Sequence, residues 1–272
     1  MVPYDKKLIG NPKTGVVHGG VITALLDNAC GVAVGTSLTT PTSIATLDLR
    51  IDYMKPAEAG LDIYATAEAI KNTKSVAFVR AIAFVEGRED DPIALASGSF
   101  MLAANRAPSP RLMDIFQQLG DARDALDEDR DPGLDARALI EAVPYIALLG
   151  IKVDLKDGVV ETHMPFREHL IGNPALPALH GGTIGSFLEI TAVMELLWRS
   201  KLEILPRTVN LTIDYLRSGR PQDLYGRAHI TKLGRRVASV RVECWQDNPE
   251  KLTASAHGNF LMTDRLDQAE NG

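Results

Sequence analysis

The chain has only two cysteines in 272 residues, Cys30 and Cys244, each in an apolar segment and without CxxC or Cys/His spacing. That excludes a disulfide framework and a zinc site, and it predicts two buried free thiols. The histidines stand singly, so no metal is expected. There is no run of about 18 consecutive apolar residues, the length that a membrane-crossing helix needs. The opening MVPYDKKLIG also lacks the apolar stretch of a secretory signal. Together these predict no membrane association and a cytoplasmic location. Positive charge is not in excess either: the formal net charge is −6, which argues against a general nucleic-acid binder.

What is present is 45% hydrophobic residues, enough for one large core or two ordinary ones, and an internal repeat. IGNPKTGVVHGG at 9–20 returns as IGNPALPALHGG at 171–182, which sets His18 and His180 162 residues apart. At the same spacing TLDLRIDYMKPA, from Thr46, returns as TVNLTIDYLRSG, from Thr208, and Asp27 returns as Glu189. Farther on, VRAIAF at 79–84 faces VRVECW at 240–245, and GSFML at 98–102 faces GNFLM at 258–262. The expected organisation is a first domain at 1–104, a linker at 105–135, a second domain at 136–264 and a tail at 265–272. The linker carries an amphipathic helical pattern and then the solvated charge run DARDALDEDRD.

Copy 2 is preceded by a helical pattern around Ala138 to Leu149 and a strand around Ile151 to Thr162. Aligning Met164-Pro165-Phe166 with Val2-Pro3-Tyr4 places the corresponding part of copy 1 ahead of residue 1. Copy 1 therefore lacks that part or relies on another element to cover its core.

After each HGG comes a segment apolar nearly all round, from Val21 to Val34 and from Ile184 to Trp198. Such a helix must be buried on most of its circumference. A strand with period-2 alternation follows, with Leu47, Leu49, Ile51 and Tyr53 on one face and Asp48, Arg50 and Asp52 on the other. Three more strands complete each copy: about 61–70, 76–85 and 93–102 in copy 1, and about 224–230, 237–245 and 252–262 in copy 2. The fold class is α+β, a curved antiparallel sheet around one long helix, made twice in one chain.

Asp27 and Glu189 place a carboxylate inside each buried helix, where an unpaired charge costs several kcal/mol, roughly. The Gly-Gly at each helix start, Gly19-Gly20 and Gly181-Gly182, allows close backbone approach and leaves the first N–H groups unpaired, an anion or oxyanion site. Within one helix the acid lies about 12 Å beyond the first glycine at 1.5 Å per residue, too far to share a carbonyl with it. Acid and amide can meet only across the copies, so Gly19 is expected with Glu189 and Gly181 with Asp27.

In this ordered set the chain resembles the hotdog-fold acyl-CoA thioesterases, in particular the phenylacetic-acid-degradation type. Their pattern is HGG, an acid nine residues after the histidine, then a strand (S/T)-x-(D/N)-x-x-I-x-Y. Here it reads His18-Gly19-Gly20, Asp27 and Thr46 to Tyr53, and again His180-Gly181-Gly182, Glu189 and Thr208 to Tyr215. The resemblance implies two hotdog domains forming an intramolecular pseudo-dimer that hydrolyses acyl-CoA to free acid and CoA, with no cofactor beyond the CoA of the substrate. It assigns thioester polarisation to the amide of Gly19 or Gly181, the general-base or nucleophilic role to Asp27 or Glu189, and water holding to Thr46 or Thr208. Asn11 and Asn173 are candidates to assist the oxyanion site. His18 and His180 would brace the loop or contact substrate, with Gly20 and Gly182 beside them. Lys71 and Lys74, and Lys232, Arg235 and Arg236, precede the strands where the family places the CoA diphosphate. Exposed sheet faces would let tandem chains pair as a homodimer.

Two rival readings apply. A non-catalytic acyl-CoA sensor would keep the fold as a ligand pocket. A hotdog enoyl-CoA hydratase needs a histidine five residues after the acid, where Val32 and Met194 stand.

Overall fold

The computed structural model describes residues 1–40, 42–103, 142–156, 159–172, 177–200 and 205–262. The expected linker and tail, and Asn173, lie outside them.

Copy 1 opens with a 3-10 turn, Lys6–Leu8, and a small pair of strands, β1 (Ile9–Asn11) and β2 (Val16–Val17), then helix α1 (Gly19–Ser37). Strands β3 (Ser43–Tyr53), β4 (Ile63–Asn72), β5 (Val76–Val85) and β6 (Ala94–Ala103) follow. Copy 2 contributes α2 (Pro144–Leu149), β7 (Lys152–Lys156), β8 (Val159–Met164), α3 (Gly181–Ser200), β9 (Arg207–Tyr215), β10 (Leu224–Leu233), β11 (Val237–Trp245) and β12 (Ala254–Leu261).

Strands β3 to β12 make one antiparallel sheet in the order β4-β5-β6-β3-β9-β12-β11-β10-β8-β7. The copies join at the β3–β9 pair, where Arg50 faces Thr212. Those two residues occupy equivalent positions in the repeat, so the pseudo-twofold axis relating the copies passes between them. Leu49 and Ile51 of β3, and Leu211 and Ile213 of β9, are fully buried on the inner face. They pack under the apolar helices, whose buried residues include Leu26, Cys30 and Val34 in α1 and Phe187, Leu188 and Leu196 in α3. By length and composition α1 is apolar enough to cross a membrane. Here that apolarity serves the core, because α1 packs on α3 and on β3 to β6. Cys30 and Cys244 are free and buried.

The strand expected over Ile151 to Thr162 is instead a hairpin, β7 and β8, in which Lys156 pairs with Val159. The intervening Asp157-Gly158 is a favoured pair for two-residue hairpin turns, a signal that the alternation alone conceals. The helix before it is described from Pro144; Pro at its first turn suits a helix start and Gly150 closes it at φ 68°.

The two copies are entered in the same way. Tyr4 N–H donates to Asp62 at 2.8 Å and Phe166 N–H to Asp223 at 2.9 Å, while Val2 bridges Ile63 as Met164 pairs with Leu224. Beyond that point β10 is covered by the hairpin, and β4 is an edge among the described residues. Helix α2 reaches beyond its own copy. It packs against the first 3-10 turn and β1 of copy 1.

One departure from strict alternation matters for chemistry. Opposite β6 the register of β3 shifts between Thr46 and Asp48, and opposite β12 that of β9 shifts between Thr208 and Asn210. Each shift is a β-bulge, which reverses the side-chain parity beyond it. Alternation from Ile51 would put Thr46 on the outer face with Asp48. The bulge turns it inward, and Thr208 likewise.

Candidate active site

Helices α1 and α3 lie antiparallel and overlap at their amino-terminal halves. The first glycine of each meets the acid of the other. A methyl group built on Gly19 would stand 2.5 Å from Glu189 Oε1, and one on Gly181 would stand 2.8 Å from Asp27 Oδ2. The second glycine has a different reason. A methyl on Gly20 would approach Ser186 Cβ to 2.7 Å, and one on Gly182 would collide with Ala24, where the helix backbones cross. Thus HGG combines one glycine that admits the acid with one that admits the neighbouring helix.

Each histidine caps the helix it precedes. His18 Nδ1 accepts the Gly20 N–H at 2.9 Å and His180 Nδ1 accepts the Gly182 N–H at 3.0 Å. An accepting Nδ1 places the proton of the neutral ring on Nε2. Burial lowers the His18 pKa to about 4, so this ring is neutral across the physiological range. The caps consume the second glycine's amide in each copy. The first glycine's amide, Gly19 N–H or Gly181 N–H, has no hydrogen-bond partner among the described residues and is left as an open donor.

The Glu189 carboxylate is 3% exposed. Its Oε1 accepts the Thr208 hydroxyl at 2.6 Å and its Oε2 accepts Tyr53 OH at 3.5 Å. Desolvation outweighs these two bonds and raises its pKa to about 7. Asp27, 6% exposed, accepts the Thr46 hydroxyl at 3.0 Å and the Gly182 N–H at 2.8 Å, with His180 Nδ1 3.5 Å from Oδ2. Burial raises its pKa as well, against the opposing pull of His180, Thr46 and Gly182. The shorter Asp27 side chain thus sits on the helix amide itself, whereas the longer Glu189 is held only by hydroxyl groups.

The Glu189 centre opens into a cavity of about 410 Å³ whose lining includes Asn11, His18, Gly19, Tyr53, Glu189 and Thr208. Apolar walls come from Ile22, Val193, Leu205 and Leu261, and the cations in the lining are Lys55 and Arg207. Lys55 is paired with Asp91. Arg207 has no partner among the described residues, and its position in copy 1 is held by Ala45. Asn11 Oδ1 accepts the Lys13 N–H at 3.0 Å, which leaves its NH₂ as a donor in the cavity wall. The expected basic residues Lys71, Lys74, Lys232, Arg235 and Arg236 are not part of this lining. A larger groove, about 790 Å³, crosses the outer face over Tyr225, Arg227 and Trp245. It touches no helix amino terminus.

Sequence reasoning missed several residues here. Tyr53 and Tyr215 hydrogen-bond to the carbonyls of Gly19 (3.4 Å) and Gly181 (2.9 Å), and their recurrence at the repeat spacing was the signal available. Ser186, Tyr145 and Arg207 break the repeat, so self-similarity could not find them.

A curved antiparallel sheet wrapped around a long helix, made twice in one chain, is a double hotdog fold. The thioesterase superfamily profile matches residues 14–91 and 176–253, more than half of the chain. The chain belongs to that superfamily. It is 33% identical over 105 residues to a medium/long-chain acyl-CoA thioesterase of Salmonella typhimurium, an alignment covering 34% of this chain and 64% of that protein. It is 36% identical over 64 residues to human acyl-coenzyme A thioesterase 13, covering 24% of this chain and 45% of the relative. The acyl-CoA thioesterase II of Mycobacterium marinum shares the whole architecture, with a TM-score of 0.61 over 91% of this chain and 90% of that one at 13% identity.

Proposed function

We propose that the chain hydrolyses an acyl-CoA thioester to the free acid and CoA. The observation that carries this reading is the meeting of Glu189 with the Gly19 helix terminus at the wall of a largely apolar cavity. The thioester carbonyl oxygen accepts the Gly19 N–H. Glu189, steadied by Thr208, takes a proton from a water that attacks the carbonyl carbon. The C–S bond breaks as the tetrahedral intermediate collapses, and the proton passes to the departing thiolate. With a pKa of about 7, Glu189 is suited to both proton transfers near neutral pH. Loss of one oxyanion donor costs about 3 kcal/mol of transition-state stabilisation. Asp27 and Gly181 form the second such centre. Arg207, at the mouth of the first, would contact the phosphates of CoA.

Glu189→Gln and Asp27→Asn, made singly and together and assayed for free thiol across short, long and aromatic acyl-CoAs, test the reading. The double variant should lose at least a thousandfold in kcat. Unchanged turnover would remove the carboxylate mechanism, and tight acyl-CoA binding without thiol release by the native chain would favour a sensor.

A further inference from the structure

The two centres are not equivalent in what supports them, and the difference converges on one side chain. Tyr145 of α2 is buried, its ring centroid 5.0 Å from that of His18 at an interplanar angle of 35°. Its hydroxyl lies 3.2 Å from Ser186 Oγ, which in turn lies 2.7 Å from the Gly20 carbonyl and 2.8 Å from the Gly182 carbonyl. Tyr145 therefore reaches both polar groups of Gly20: the N–H through His18 and the C=O through Ser186. With Tyr145 donating to Ser186 Oγ, the single serine proton is directed onward to the carbonyls. The residue before that clamped peptide is Gly19, whose amide is the free donor.

At the other centre Ser186 also reaches the second-glycine carbonyl, that of Gly182, but the ring support does not recur. Ala24 occupies the position equivalent to Ser186, and no tyrosine stands over His180 among the described residues. We infer that Tyr145 is a positioning residue for the Glu189 centre, fixing the Gly19-Gly20 turn through His18 and Ser186, and that helix α2 of copy 2 thereby tunes the turn contributed by copy 1. The inference rests on the thioesterase reading above and adds a residue to it.

The test is a double-mutant cycle in the Asp27→Asn background, where turnover depends on Glu189. Tyr145→Phe keeps the ring on His18 and removes the hydroxyl. Ser186→Ala installs the residue that copy 1 already carries. Each should lower kcat about threefold to tenfold with KM within twofold, and the two together should lose no more than Ser186→Ala alone, because the tyrosine hydroxyl acts through the serine. Tyr145→Leu, which also uncovers His18, should lose more than tenfold. Additive losses in the cycle, a change confined to KM, or kcat within twofold of the parent in all three variants would overturn the inference. So would loss of all turnover in Asp27→Asn itself, since the Glu189 centre would then do no work. If the Asp27→Asn, Glu189→Gln double variant still releases thiol, it is the carboxylate reading that fails, whatever Tyr145 does.

Discussion

Glu189→Gln should make the protein more stable in mild alkali while removing the activity of its centre. The native carboxyl holds its proton up to about pH 7, against an ordinary value of 4.5. Between those two pH values the unfolded chain ionises and the folded chain does not, so native stability falls as pH rises, by about 1.4 kcal/mol per unit. The contribution is intact below about pH 4.5 and fully lost above about 7, for a total of roughly 3 kcal/mol. Glutamine has no such dependence. Its carbonyl can still accept the Thr208 hydroxyl and its amide can donate to Tyr53 OH, so the polar groups stay satisfied. Urea unfolding of native and Glu189→Gln chains at pH 5, 7 and 9 should show the variant gaining on the native protein as pH rises. The gain should reach on the order of 3 kcal/mol at pH 9, or roughly 5 to 10 °C in melting temperature. A stability difference that stays constant across this range would show that Glu189 ionises without penalty, and the desolvated-base argument would fall.

Thr208→Val removes the 2.6 Å bond that lowers the Glu189 pKa, so the acid limb of kcat/KM in the Asp27→Asn background should move to higher pH, with activity about tenfold lower. Gly19→Ala brings a methyl group to 2.5 Å from Glu189 Oε1; it should abolish Glu189-dependent turnover while Asp27-dependent turnover, measured in Glu189→Gln, falls by less. Arg207→Ala should raise KM for acyl-CoA several-fold and leave an acyl-N-acetylcysteamine thioester, which has no phosphates, unchanged; equal effects on both would remove Arg207 from CoA binding.

Much of this protein could be read from its sequence because the relevant interactions are local or duplicated. Apolarity all round a segment dictates a buried helix wherever it sits, and alternation dictates a half-exposed strand. The repeat of HGG, acid and strand then requires two like domains. Even the crossing of acid and glycine follows from helix rise, since 12 Å within one helix leaves only the neighbouring copy as partner. Other features arise from contacts between segments remote in sequence. The β-bulges that turn Thr46 and Thr208 inward depend on how β3 meets β6 and how β9 meets β12, and strict alternation assigns those threonines to the wrong face. The difference between the two acids depends on how far each side chain reaches: Asp27 onto the Gly182 amide, Glu189 only to hydroxyl groups. The placement of Tyr145 on His18 depends on α2 packing against the other copy. Sequence periodicity therefore determined the elements and their duplication, because burial is periodic. Only the tertiary structure decided which hydroxyls, amides and rings surround each carboxylate, because those neighbours come from different strands, helices and copies.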